Sequence, residues 1–143
     1  MSKILSSKTS LMFSIVIFMC FTATQLFGAD TSSIDEELLK EANNMNMKCP
    51  FMVDKYTRLD STFAVEGKKF VYSYTIIDDE LMNTIKNNRY KISAEIKTKM
   101  INSIKTNQDT KELRDVGVEF VYIYKANDGK EIVRIIISPS DYK

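Results

Sequence analysis

The sequence predicts an α+β domain of two layers: a helix, a hairpin, a second helical stretch and a second hairpin, giving a four-stranded antiparallel sheet with the helices packed on one face. Three observations carry this reading. Strongly β-prone aromatic runs occur at Phe70-Val71-Tyr72-Ser73-Tyr74 and again at Phe120-Val121-Tyr122-Ile123-Tyr124, each three residues after a glycine. Each run adjoins a second alternating or β-branched run across a glycine-containing turn, at Glu66-Gly67 and at Asp128-Gly129. Between and before them lie stretches with apolar residues at helical spacing. A hairpin cannot bury its own face, so two hairpins joined edge to edge under helices are the economical arrangement.

The first thirty residues stand apart. Residues 1–10 carry Lys3 and Lys8 and no acid, and Leu11 to Phe21 is an apolar run. Smaller and polar residues then lead to Gly28 and Ala29. Basic, apolar and small segments in that order are a secretory signal peptide. Residues 1–29 are therefore assigned as leader and residues 30–143 as one domain, with cleavage after Gly28 or Ala29. The alternatives are a retained membrane anchor through residues 11–27 or lipidation of Cys20. Roughly 11 strongly apolar residues is short against the ~20 of a spanning helix. Met19 stands where a lipidated cysteine prefers a small residue. Export places the domain in the periplasm or outside the cell, with membrane attachment only if the leader stays or Cys20 is lipidated.

Loss of both leader lysines turns a net charge of +1 into 18 bases against 19 acids. A near-neutral domain has no bulk electrostatic pull toward nucleic acid, and no basic stripe with interleaved aromatics restores one. Without Cys20, Cys49 has no partner in the chain, so the core alone must hold the domain together. A buried Cys49 packing as a small apolar residue suits an oxidising compartment.

In chain order, Ser33 with Glu36 forms a capping box, and Asp35, Glu36 and Glu37 suit the positive end of a helix dipole. Ile34, Leu38, Ala42 and Met45 form one stripe, predicting a helix over Ile34–Met45. Asn43, Asn44 and Asn46 weaken its end, and Pro50 disfavours helix at Cys49. Leu59, Ser61, Phe63 and Val65 alternate with Arg58, Asp60, Thr62 and Ala64, predicting a strand over Thr57–Val65. A turn at Glu66-Gly67-Lys68 leads to a strand over Phe70–Ile77. Both faces of that strand are fairly apolar, which marks it as central.

Asp78-Asp79-Glu80 ends the strand and starts a short helix with Leu81, Met82 and Ile85. Asn87 to Tyr90 is a break. Ile92, Ile96, Met100 and Ile104 place a second helix over Ser93–Lys105, and one bent helix over Asp79–Lys105 is the alternative. Thr106 to Asp109 is a loop, with Asp109 capping a short turn through Leu113. The second aromatic strand covers Val118–Lys125. Asn127-Asp128-Gly129 predicts a type I′ hairpin turn. Ile132–Ile137 is the closing strand, Pro139 stops it, and the tail Ser140–Lys143 is exposed.

The chain has no histidine. That removes the usual neutral-pH general base, the Ser-His and Cys-His nucleophile pairs and the commonest transition-metal ligand. No phosphate-binding glycine loop, dinucleotide fingerprint, HExxH or G-x-S-x-G elbow is present, so no catalytic residue, cofactor or metal is assigned. Asp78-Asp79-Glu80 lacks the spaced series of a calcium loop. Asp54, Arg58 and Asp60 are the densest polar cluster. Two carboxylates can do acid-base work if their environments separate their pKa values, while an Arg-Asp pair on a solvated strand is the structural alternative. Tyr72, Tyr74, Tyr122 and Tyr124 form either a packed sheet-helix layer or an aromatic binding face. Asp54, Arg58, Asp60, Tyr72 and Tyr122 are the candidate binding residues.

CPFMVDKYTRLDSTFAVEGKKFVYSYTI and INSIKTNQDTKELRDVGVEFVYIYKANDGKEI together resemble a family of small exported bacterial proteins of uncharacterised function. The shared pattern is a Pro-x-Met-Val-Asp run, Thr-Arg-Leu-Asp, a Tyr-x-Tyr strand, an Asn-rich helix end, and Gly-Val with a second Tyr-x-Tyr and an Asp-Gly turn. The resemblance implies an exported bacterial setting and no activity. It also implies a cysteine at the position of Lys105 and another near Tyr142 in many relatives. If those two pair, this chain lacks both ends of a bridge that tethers the tail.

Two functions from different classes follow. The first is a non-catalytic exported module that binds an unidentified protein or envelope component through the sheet face or a sheet edge. The alternative is an envelope enzyme using Asp54 or Asp60, or a small-molecule carrier lined by Tyr72 or Tyr122. An enzyme requires Asp54, Arg58 and Asp60 to converge in a pocket. A binding module requires an exposed apolar patch or an unprotected strand edge.

Overall fold

The computed structural model describes residues 30–143, and the leader assignment lies outside the described residues. Helix α1 spans Thr31–Asn46, three residues earlier than its apolar stripe indicates. Asp30, not Ser33, is the N-cap, and its carboxylate accepts the Ser33 N–H at 2.9 Å. The acids at 35–37 consequently fall in the second turn. Asp35 serves the hairpin turn instead, accepting the N–H groups of Gly67 at 3.0 Å and Lys68 at 2.7 Å. Lys68 is held at φ 60°, a left-handed value uncommon for a side chain with a Cβ.

Strands β1 (Phe51–Met52), β2 (Thr57–Val65) and β3 (Lys69–Ile76) follow. Helices α2 (Asp79–Asn87) and α3 (Arg89–Thr106) are separate, broken at Asn88, where φ is −123° and ψ 29°. Asp78 caps α2 through the Leu81 N–H. A 3₁₀ turn at Gln108–Thr110 takes its cap from Asn107 rather than Asp109. Helix α4 (Lys111–Val116) ends at Gly117, whose φ of 78° is the left-handed stop that glycine adopts freely. Strands β4 (Glu119–Lys125) and β5 (Glu131–Ile137) complete the sheet.

Among the described residues the sheet has five strands in the order β1-β2-β3-β4-β5, and it is mixed. β3 and β4 pair in parallel, which corrects the four-stranded antiparallel expectation. The reason is the intervening helical segment. It returns the chain to the starting end of β3, and a connection of more than a dozen residues through helices is what a parallel pair needs. The aromatic echo then falls in register: Phe70 lies beside Phe120, Tyr72 beside Tyr122 and Tyr74 beside Tyr124. The fifth strand is β1, two residues that pair with Leu59 and Arg58 on β2.

The β4–β5 turn is also corrected. Gly129 alone has positive φ there, its N–H bonds the Ala126 carbonyl at 2.9 Å, and the Ala126 N–H bonds the Lys130 carbonyl. That is a type I turn followed by a glycine bulge, not type I′.

One face of the sheet packs on the helices. Phe70, Tyr72, Tyr74 and Ile76 of β3, Phe120, Tyr122 and Tyr124 of β4, and Val133, Ile135 and Ile137 of β5 join one core with Ile34, Leu38 and Met45 of α1 and Ile92, Ile96, Met100 and Ile104 of α3. The tail is part of this core, contrary to its predicted exposure. Pro139–Tyr142 forms a short helix, α5, with a capping box from Ser138 and Asp141. Tyr142 is buried, donates its hydroxyl to the Val118 carbonyl at 2.6 Å and meets Phe120 edge-on. Lys97 pairs with Asp141 at 3.1 Å. The tail is thus tethered without a disulfide, and among the described residues Cys49 is a free thiol.

Candidate functional site

Asp54, Arg58 and Asp60 do not form one site. Asp54 sits in the loop before β2 and is buried. Its Oδ1 accepts the N–H groups of Tyr56 at 2.7 Å and Thr57 at 2.8 Å, so it shapes the loop. Its Oδ2 and the Thr57 hydroxyl are buried without a hydrogen-bond partner among the described residues. Burial raises the Asp54 pKa, and the two backbone donors oppose that rise.

Arg58 and Asp60 belong to the other face of the sheet. Alternation places Asp60 on the same side as Arg58, and the bulge between Leu59 and Ser61 leaves Asp60 as the extra residue, without a register partner on β3. Arg58 Nε donates to Asp60 Oδ1 at 2.7 Å, and the Thr75 hydroxyl donates to Asp60 Oδ2 at 2.6 Å. Arg58 pairs across the sheet with Thr75, whereas Thr57, beside Asp54, pairs with Ile76 of the core face. The strand alternation that separates 57 from 58 therefore separates the two carboxylates. Cys49 is half-buried, and burial, followed by the Asp60 charge, raises its pKa away from a reactive thiolate.

The tyrosines are packed rather than displayed. Tyr72 stacks on Tyr122 with ring centroids 5.0 Å apart, and Tyr74 on Tyr124 at 5.2 Å. All four are buried, and burial raises each phenol's pKa. As candidate binding residues, Tyr72 and Tyr122 are core members.

Two surfaces remain that the candidate residues did not indicate. The first is the sheet face away from the helices. Phe63, Val71, Val121 and Ile136 are register partners in turn across β2, β3, β4 and β5. They form one transverse apolar row, about 14 Å long at ordinary strand spacing. Phe63 is 50% exposed and Ile136 43%. Charged pairs bound the row: Lys69–Glu119 at 3.4 Å on one side and Arg134–Glu131 at 2.7 Å on the other. The second surface is a cleft of about 560 Å³ between the start of α1 and the β2–β3 turn, lined by residues that include Leu39, Ala64 and Val65. The sequence does carry a signal for the row. Phe63, Val71, Val121 and Ile136 are apolar positions on the outward alternation of four strands, but they align only once register is known.

Fold and surfaces define a small mixed-sheet α+β domain with helices on one face and an apolar row on the other. Residues 33–133 match the domain of unknown function DUF8479, and the chain belongs to that family. Among solved structures, the fold is similar to that of a Pseudomonas aeruginosa protein considered to be secreted, at 13% identity and a TM-score of 0.66, covering 81% of this chain and 100% of that one. It is also similar to the type II secretion system pilotin AspS of Vibrio cholerae, at 11% identity and TM-score 0.56, covering 78% and 94% of the two chains. The type 2 secretion system pilotin EpsS of Vibrio vulnificus matches at 7% identity and TM-score 0.60, covering 79% and 94%. At these identities the likeness is one of fold. No curated protein matches the sequence.

Proposed function

We propose that this protein is an exported, non-catalytic interaction module that binds another protein of the bacterial cell envelope. The carrying observation is the transverse row Phe63-Val71-Val121-Ile136, an apolar band on a sheet face whose ends are half exposed. Val121 in its middle is buried, so the exposed apolar surface lies at its two ends, Phe63 and Ile136, and apolar surface rimmed by charge suits a protein contact. The separation of Asp54 from Arg58 and Asp60 counts against the acid-base alternative, and the stacked burial of Tyr72 and Tyr122 counts against a tyrosine-lined carrier. The basic-apolar-small leader supports export to the periplasm or beyond. Folds shared with type II secretion pilotins and a protein considered secreted are in keeping with an envelope setting.

The test is site-specific photo-crosslinking in the intact bacterium, followed by fractionation. A photoreactive residue at Phe63 or Ile136 is expected to give one discrete adduct with an envelope protein. The same residue at Lys91, exposed on α3, is expected to give none. Equal patterns at all three sites, or recovery of an N-terminally intact chain from the cytoplasm, would refute the reading.

A further inference from the structure

The outer edge of β2 is covered at two successive positions and open at a third. β1 pairs with Arg58 and Leu59. Next, the side-chain amide of Asn46, at the end of α1, acts as a substitute strand residue. Its oxygen accepts the Thr62 N–H at 2.7 Å and its nitrogen donates to the Thr62 carbonyl at 2.9 Å. The third position is Ala64. Thr62 points its main-chain groups outward, so Ala64, two residues on, does so too. No described residue pairs with them. There the edge opens into the 560 Å³ cleft, with Leu39 (51% exposed) and Val65 (47% exposed) as its apolar surfaces.

The cleft's charge is one-sided. Asp35, Glu36 and Glu66 line it, and none of the described residues lining it is a lysine or arginine. Asp35 is engaged with the turn amides, so Glu36 and Glu66 supply the negative field at the rim.

We infer that this edge receives an extended segment of a partner protein, which pairs its backbone with Ala64, seats an apolar side chain over Leu39 and sets a lysine or arginine beside Glu36 and Glu66. Strand addition of this kind takes affinity from main-chain hydrogen bonds and specificity from alternate side chains. Residues 59–62 already show the two ways this chain completes the same edge, with a strand and with an amide. The inference rests on the interaction-module reading but uses a surface separate from the transverse row.

The probe is an acetylated, amidated hexapeptide of alternating valine and lysine, compared with its valine-glutamate counterpart at low ionic strength, where rim charges act most strongly. The readout is hydrogen exchange at the Ala64 amide, followed by NMR. The valine-lysine peptide at saturation is expected to slow that exchange at least tenfold, and the valine-glutamate peptide to leave it unchanged. The double variant Glu36→Lys, Glu66→Lys changes only exposed side chains and is expected to reverse the preference. No slowing, or equal slowing by both peptides, overturns the proposal. So does protection without peptide, which assigns the edge to a second copy if it rises with protein concentration and to the chain itself if it does not. If the peptides fail while crosslinks at Phe63 and Ile136 still capture a partner, the edge assignment alone falls. If those crosslinks fail while the peptide protects Ala64, the row is the part that falls.

Discussion

Replacing Asn46 with alanine removes the cover from Thr62 without touching the sheet's own ladder. Three hydrogen bonds to Thr62 are lost. Its hydroxyl keeps the Ala42 carbonyl as acceptor, so the loss is set by the two main-chain bonds, each with a net worth of about 0.5–1.5 kcal/mol, and the gross loss is about 2 kcal/mol. Alanine is the better helix former by about 0.5 kcal/mol, which offsets part of this at the last residue of α1. The expected destabilisation is therefore about 1.5 kcal/mol. A domain of about 114 residues has an unfolding entropy near 0.24 kcal/mol/K, so the melting temperature should fall by about 6 °C. Asn46→Asp keeps the acceptor for the Thr62 N–H but sets a negative charge against the Thr62 carbonyl, and should cost at least as much. The assay is urea unfolding by circular dichroism, with amide exchange at Thr62 as the local readout. A loss under about 0.5 kcal/mol with unchanged Thr62 exchange would refute the account of Asn46 as a substitute strand residue.

Two further outcomes follow from buried groups. Asp54 has its pKa raised on folding, chiefly by burial. Its folded form thus holds a proton to higher pH than the unfolded chain. The stability it contributes is present at acid pH and declines as pH rises from the unfolded value near about 3.9 through the raised folded one. Asp54→Asn should remove that decline, so the stability difference between variant and parent grows in the variant's favour between about pH 4 and pH 7; a difference independent of pH over urea titrations in that range would contradict the shift. Tyr142→Phe leaves the Val118 carbonyl buried without its donor and should cost about 1–2 kcal/mol in urea unfolding, with the core otherwise intact. A neutral outcome would mean the tail is held by ring packing and the Lys97–Asp141 pair alone.

Much of the fold is legible in the chain, and the misses share a cause. The alternation at 70–77 and the β-branched run at 132–137 mark strands because side-chain period reports local geometry. Period does not report which strand lies next to which, or in which direction. The parallel seam was therefore invisible, although GKKFVYSY and GVEFVYIY hold the residues that meet across it. The separation of Asp54 from Arg58 and Asp60 has a related reason. Nearness in sequence suggests convergence, but Asp54 is tied to the Tyr56 and Thr57 amides in the loop, while alternation from Thr57 onward places Arg58 and Asp60 together on the opposite face. The burial of Tyr142 is not legible in the chain, because four residues are too few to show a period and its hydroxyl bonds a carbonyl 24 residues away. The β2 edge is beyond sequence altogether. An asparagine at a helix end reads as a weak terminus, and only the fold shows its amide beside a strand.

The aromatic echo has an energetic meaning. β3 and β4 join residues 50 positions apart, as Phe70 and Phe120 show. Closing a loop of that length costs about 2 kcal/mol more than closing a hairpin of about four residues. The two stacked tyrosine pairs across the seam, Tyr72–Tyr122 and Tyr74–Tyr124, are each worth about 0.5–1.5 kcal/mol beyond the area they bury. Together they are of the size of that entropic difference. The repeated tyrosines stand at the junction where the chain closes its longest loop between paired strands.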